Sequence, residues 1–506
     1  MPALHPQPVV SEAERESGLR LLTMEAAFSG GTSALTGGVI LTAFAIHLGA
    51  SNVMVGILAS APFLTQLLQL PAILVVEKLR TRKRIAVLTS IAGRLMLAIM
   101  AATAFFAGPT ALLIFLAAVI ILCGLSAIGG CAWNAWVRDL APDTRLGQIS
   151  ARRTALTTAI GLVLGLSAAL ILERTAEGST ARATAFAAMF AAGCIAGLIS
   201  AAIVAAIPEP PMPAASGQLS LVALVRAPLA DRNFRRLLRF MASWQFAVNL
   251  ATPFFTVFIV RQLGFDISFV MVLSVISQVA NLAAVRTWGL LADRFANKSV
   301  LAVSAPAYIL CIAAMAGASQ FATREIVMAW LVILHLLMGA AVAGVTLGTM
   351  TIALKLSPKG EATAYVAVNA MTTALAAGLA PIIGGLLADF FAARQLEFIL
   401  RWSGPRGTLA LPIVLTHWDF YFLLAGMIGL YAMHRLTMVC EVGEIDRREM
   451  VGEVIAQTRR TIRNVSSVAG LRALTEIPGS LVQDTRKRLR LARMRANQRR
   501  YENAKR

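Results

Sequence analysis

Apolar residues fall in long blocks separated by short charged stretches, and the blocks are close to twenty residues each. Twelve of them begin near Leu22, Val53, Ile85, Thr110, Thr154, Thr184, Leu237, Ile267, Val300, Ile326, Ala362 and Phe420. A helix of roughly 20 apolar residues spans the hydrocarbon of a bilayer. Inside lipid the backbone must satisfy its own hydrogen bonds, so each block predicts a spanning α-helix rather than a strand or loop. The pattern therefore predicts an all-α integral membrane protein of twelve transmembrane helices. The longest interior break runs from Pro208 to Arg236 and leaves six blocks on either side. It predicts a short N-terminal segment (1–21), a six-helix bundle (22–207), a central linker (208–236), a second six-helix bundle (237–437) and a basic tail (438–506). Between Phe390 and Asp419 the polar stretch is longer, and residues 391–402 are expected to form a short interfacial helix.

Composition agrees with this reading. Of 506 residues 58% are hydrophobic and 14% charged, and the mean hydropathy of +0.72 excludes an ordinary soluble enzyme. The net charge of +20 is not evenly spread. The N-terminal segment and alternate loops carry 20 basic residues, the opposite loops 7, and the stretch from Arg435 onward another 17. Basic residues stay on the cytoplasmic side of a membrane protein, which predicts cytoplasmic termini in a multi-pass chain. The abundance of alanine and arginine hints at a GC-rich bacterial genome, hence a bacterial inner membrane. Residues 1–20 include Glu12, Glu14 and Glu16 and form no cleavable signal.

Little points to catalysis. The five cysteines are scattered, and the sequence contains no phosphate-binding glycine loop, no zinc-spaced histidines and no serine–histidine–aspartate set. No enzyme activity, cofactor or metal is expected, and a monomer is the simplest state. The tail carries an apolar stripe (Val451, Val454, Ile455, Thr458, Ile462, Val465) and then a basic cluster from Arg486 to Arg500. Such a segment suits contact with anionic membrane lipids, or else is simply solvated. Nucleic acid is not an expected partner, since no aromatic residues are interleaved with the charges.

One charged turn stands out between the eighth and ninth blocks: Gly289, three residues, Asp293, Arg294 and then Lys298. Subtracting 216 places Asp293 on Glu77, Arg294 on Lys78 and Lys298 on Arg82. The same offset sets Leu356-Ser357-Pro358 on Leu140-Ala141-Pro142, and an offset of 215 sets Leu263-Gly264 on Leu48-Gly49. Parallel repeats of this kind are a known architecture of transporters. The turn, the six-plus-six layout and the repeat resemble the major facilitator superfamily, over about Leu22 to Arg435. The glycine that the superfamily's turn carries before its last basic residues is missing, because Ala296 and Asn297 stand there. The resemblance implies two six-helix bundles rocking about a central site, with a conformational latch made of Gly289, Asp293, Arg294, Lys298, Glu77, Lys78 and Arg82. Gly289 is expected to let its helix end approach a neighbour.

Ionisable groups deep in a span are expensive and so become site candidates. Arg94 lies ten residues beyond Arg84, roughly 15 Å into the bilayer, where its guanidinium can grip a carboxylate or phosphate; the alternative is a structural pairing with Glu25 or helix carbonyls. Glu25 is a candidate proton carrier, or an ion-paired group near a helix end. His335 lies near a midplane, and Gln245 with Asn249, Gln278 with Asn281, Gln66 and Asn369 complete the substrate-binding candidates. The expected function is secondary transport of a small polar or anionic solute, with or without a proton. Export of amphipathic drugs is an alternative, and a sensor or scaffold that keeps the fold without the flux is another.

Overall fold

A computed structural model describes residues 7, 10–106, 108–140, 143–176, 178–212, 221–358, 362–404, 407–443 and 447–465. In chain order the helices are α1 (Glu12–Thr36), α2 (Gly38–His47), α3 (Asn52–Leu64), α4 (Gln69–Leu79), α5 (Arg82–Thr103), α6 (Pro109–Leu140), α7 (Asp143–Glu173) and α8 (Thr180–Ala206). They continue with α9 (Leu221–Ala230), α10 (Arg232–Ala251), α11 (Pro253–Val257), α12 (Ile267–Arg294), α13 (Asn297–Ala314), α14 (Arg324–Leu356), α15 (Ala362–Phe391), α16 (His417–Thr437) and α17 (Arg447–Val465). Among the described residues eleven helical segments are long and apolar enough to cross a membrane. The twelfth predicted block forms α16, whose ends carry His417, Asp419, His434 and Arg435 and dilute its apolar character.

The first span is broken. Gly37 is extended and Gly38 has φ of +53°, a left-handed setting that glycine adopts at no steric cost, so α1 stops and α2 begins. In the second half the chain breaks again between α10 and α11, where Pro253 opens a new helix after Ala251. Gly37 and Thr252 lie 215 apart, as do the left-handed Gly49 and Gly264 that close the two spans. The helix starts Asn52 and Ile267, and Arg82 and Asn297, follow the same offset. The internal repeat read from charged residues is thus written in the backbone as well.

The predicted interfacial helix at 391–402 does not form. Leu396–Gly404 (β1) and Gly407–Leu415 (β2) pair antiparallel as a hairpin, with Leu396 opposite Leu415 and Gly404 opposite Gly407. Phe398, Ile399, Trp402, Ile413 and Val414 are β-branched or aromatic and favour strands, while Pro412 forbids a helix interior.

The chain packs as two compact units. One contains residues 1–218, 252–272 and 377–390; the other contains 219–251, 273–376 and 391–506. The first unit has a core of Leu19, Leu22, Val76, Ile85, Trp136 and Leu140. Within it α3 and α15 touch backbone to backbone: a methyl on Gly56 would lie 2.9 Å from the Pro381 carbonyl carbon, and one on Gly385 would lie 2.6 Å from Val53 Cα. Asn52 donates to Asp389 at 2.8 Å, and Arg261 donates to the Ala50 carbonyl at 2.8 Å. The second unit has a core of Trp288, Leu291, Phe295, Val300 and Ala343, into which Met450 of α17 is fully buried.

Candidate functional site

Two charged side chains, Glu25 and Arg153, pair inside the first unit, and a third, Arg94, lies within electrostatic reach of Glu25. Glu25 of α1 is 6% exposed, accepts a 2.7 Å ion pair from Arg153 of α7 and accepts from the Ser200 hydroxyl of α8 at 3.1 Å. Small residues make this possible. A methyl on Gly30 would sit 3.0 Å from Thr157 Cα, so α1 and α7 can lie close, and Thr157 donates to the Ala26 carbonyl at 3.3 Å. One turn before Thr157, Arg153 then meets Glu25. The Arg153 guanidinium also lies 5.3 Å from the centre of the Trp133 ring of α6, a favourable stack for a cation.

Arg94 of α5 completes the cluster. Its chain runs against Gly197 of α8, whose missing side chain leaves the room: a methyl there would come within 2.7 Å of Nε. Cys194 donates to the Arg94 carbonyl at 3.1 Å. Glu25 attracts Arg94 electrostatically, but the direct partner of Glu25 is Arg153, a residue that the sequence reading passed over as a loop charge. The Arg94 Nε is buried with no hydrogen-bond partner. Two guanidiniums against one carboxylate leave the cluster with one surplus positive charge.

The other candidates are not gathered at this cluster. Asn249 donates to the Gln245 side chain at 3.1 Å and to its carbonyl at 2.9 Å, so this pair does share a helix face as expected. Gln66 is exposed in a tight turn at 65–68 and is bonded by Gln69. His335 Nδ1 lies 2.8 Å from the Leu331 carbonyl of its own helix. Gln278 and Asn281 are half-buried on α12. Asn369 on α15 keeps a buried side-chain oxygen without a partner.

Of the latch residues, Gly289 departs from the expectation. A methyl on Gly289 would meet nothing within 4 Å, so no close approach occurs there; in this region the close approach is at Gly344, where a methyl would lie 2.8 Å from the Trp288 ring. The Asp293 side chain lies outside the described residues. Arg294 pairs with Glu453 of α17 at 3.2 Å, and no ion pair involves Glu77 or Lys78 among the described residues. Arg82 is 2% exposed and is held by Asp139 at 2.5 Å and by the Pro210 carbonyl at 3.2 Å. Its backbone amide, the first of α5, donates to the Glu209 carboxylate at 2.8 Å. In the second unit Glu441 accepts from the amides of Asn297 (3.2 Å) and Lys298 (2.7 Å), the first two of α13. Each half therefore has a buried carboxylate, placed after its sixth helix, that caps its third helix where the helix dipole favours negative charge. The sequence hid this symmetry because Glu209 and Glu441 are 232 apart instead of 216. Extra residues in the hairpin region before α16 lengthen the second copy.

Burial pushes the Glu209 carboxyl up from the ordinary carboxylate range, against the downward pull of the Arg82 and Lys83 amides and the Arg82 charge. The folded protein then holds this proton to a higher pH than the unfolded chain, so the contribution of Glu209 to stability declines as pH rises through that window. Glu209→Gln is expected to cost less than about 1 kcal/mol, because an acceptor for the helix end remains. Glu209→Ala should cost about 2–3 kcal/mol by leaving Arg82 and two amides short of a partner. Thermal unfolding of both variants in one detergent checks the order.

Comparison with known proteins agrees with this architecture. The family description Major Facilitator Superfamily matches residues 24–328 and 237–453. Among curated proteins no sequence matches. Solved structures with the same fold include the xylose transporter XylE from E. coli, with 14% identity, 87% of this chain and 99% of that chain covered and a TM-score of 0.61. The nucleoside transporter NupG has 15% identity, 84% and 98% coverage and a TM-score of 0.58. A variant of the E. coli fucose:proton symporter FucP has 15% identity, 85% and 100% coverage and a TM-score of 0.52. With its paired breaks in the first and seventh spans, its repeat offset and its match to the family over most of its length, this chain belongs to the major facilitator superfamily.

Proposed function

We propose that this transporter moves a small anionic solute and that the Glu25–Arg153–Arg94 cluster is where the anion is recognised. The observation that carries the reading is the surplus guanidinium. Arg94 has a buried Nε with no partner, and a substrate carboxylate or phosphate can satisfy it while balancing the extra charge. Glu25 is the group that would take a proton. A substrate anion that competes for Arg153 would take away the direct partner of Glu25 and so couple solute to proton. Xylose, fucose and nucleosides, named for the structural neighbours, are uncharged or nearly so; at these identities they speak for the fold, and a polar neutral solute is the second reading.

In this proposal residues 22–207 and 237–437 act as the two moving bundles. The basic side faces the cytoplasm of a bacterium, and the Asn52–Asp389 and Arg261–Ala50 contacts lie at the outer end of the spans. The α4–α5 and α12–α13 turns lie at the inner end.

The test is uptake into liposomes loaded with a pH-sensitive dye, run with a panel of small carboxylates, phosphate esters and sugars. Arg94→Ala is expected to weaken apparent affinity for an anionic solute at least about tenfold, the scale of one lost charge-assisted hydrogen bond. Equal losses for charged and neutral solutes would make Arg94 a structural arginine.

A further inference from the structure

The helix α17 is the one described element that is neither a membrane span nor a connection between spans, and its two faces differ in kind. One face is fixed to the second unit. Met450 is fully buried among Trp288, Leu291, Phe295, Val300 and Ala343, Val454 packs against the same cluster, and Glu453 pairs with Arg294. Apart from Ala343 of α14, these partners are the end of α12 and the start of α13, so α17 is anchored where two spans leave the hydrocarbon. The other face is open. Arg448, Val451 and Ile455 follow helical spacing on one side and are exposed, Val451 at 40% and Ile455 at 50%. The same helix carries Arg459, Ile462 and Arg463 at the next positions of that spacing. An exposed valine and isoleucine flanked by arginines on a helix held beside span ends is the pattern of an interfacial membrane helix.

We infer that α17 lies on the bilayer surface, with Val451 and Ile455 in the boundary between headgroups and acyl chains and Arg448 contacting anionic phospholipid headgroups. Two features fit a lipid surface rather than water. Leu290 of α12 and Leu354 of α14, each near the end of its span, are exposed at 49% and 56% as lipid-facing residues are. The charge is also complementary: Arg448 is exposed beside the apolar strip, and one arginine near an anionic surface contributes on the order of 1 kcal/mol, about a fivefold preference. Anchoring by Met450 and Glu453 sets the orientation before lipid is met, and the exposed face is presented without an added folding cost.

The test uses the full chain with its native cysteines replaced, spin-labelled in turn at Val451→Cys and Ile455→Cys and reconstituted in two kinds of vesicle. One is pure phosphatidylcholine and the other contains about a quarter phosphatidylglycerol, a strongly anionic surface. Collisions with oxygen report an apolar surrounding, and collisions with a soluble nickel chelate report water. The expected result is a several-fold drop in nickel accessibility and a rise in oxygen accessibility in the anionic vesicles, reversed by Arg448→Gln and weakened by salt. Nickel accessibility equally high in both vesicles would overturn the inference and leave α17 in water. Shielding from both reagents in both vesicles would overturn it in favour of a protein contact.

Discussion

Glu25→Ala is expected to abolish transport and to lower stability by about 3 kcal/mol, near the lower end for breaking a buried pair. The lower end applies because the Arg153 side chain retains 22% exposure and can recover some hydration. The alanine removes the acceptor for both Arg153 and Ser200. Glu25→Gln is the sharper probe. It keeps the size and an acceptor for Ser200 but holds the position neutral at every pH, so if Glu25 carries the coupled proton, solute exchange survives while accumulation against a gradient is lost. The double variant Glu25→Gln/Arg153→Gln should recover part of the stability lost by Glu25→Ala, since it leaves no charge in this pair unpaired. Unfolding temperature and dye-reported proton movement, measured on the same preparations, separate the structural loss from the loss of coupling. Full proton-coupled accumulation by Glu25→Gln would remove Glu25 from the coupling role.

A second large effect is expected from Gly56→Leu. The backbone of α3 runs against the Pro381 carbonyl of α15, and any side chain at Gly56 must displace it. Overpacking of this kind costs typically about 1–3 kcal/mol. Here the cost falls on one arrangement only, the one in which these two helices touch. If the contact is the outer gate of an alternating-access cycle, a bias of that size shifts the population toward the gate-open state by roughly 5- to 150-fold. A cysteine placed at Val53 should then become reactive to a membrane-impermeant thiol reagent from outside, while net uptake falls. Unchanged labelling with unchanged uptake would show that α3 and α15 do not part during the cycle. Gly385→Leu, at the neighbouring contact with Asn52 and Val53, should give the same result.

Much of the fold could be read from the chain because the bilayer constrains it so strongly. Apolar blocks of spanning length predicted the helices, and the 215–216 offset predicted the second copy from the first. The site was less legible. Arg94 was found because a lone charge deep in an apolar run is conspicuous. Arg153, at the start of its run next to Arg152, looked like one more loop arginine, and nothing local says that α7 brings it onto Glu25. That contact depends on Gly30 lying against Thr157, which is a relation between residues 127 positions apart. The carboxylates that cap the helices beside the latch residues were hidden for a related reason. The spacing of Gly289, Asp293 and Arg294 is local and easily matched, but the carboxylates that hold the α5 and α13 starts come from beyond the sixth and final spans. The hairpin was missed because Phe391 to Trp402 was read as a helix face, when its β-branched and aromatic residues paired with those after Gly407.

The position of Glu209 also bears on how the chain is made. The opening of the third helix is secured by a residue that leaves the ribosome only after three more helices have been inserted. Until then Arg82 waits in the membrane boundary without this anchor, and the first half is finished only when Pro208 to Met212 has been synthesised and folds back. A nascent chain halted before Pro208 is expected to be cleared by quality-control proteases faster than one halted a few residues past Met212. Equal lifetimes would show that the earlier helices mature without it.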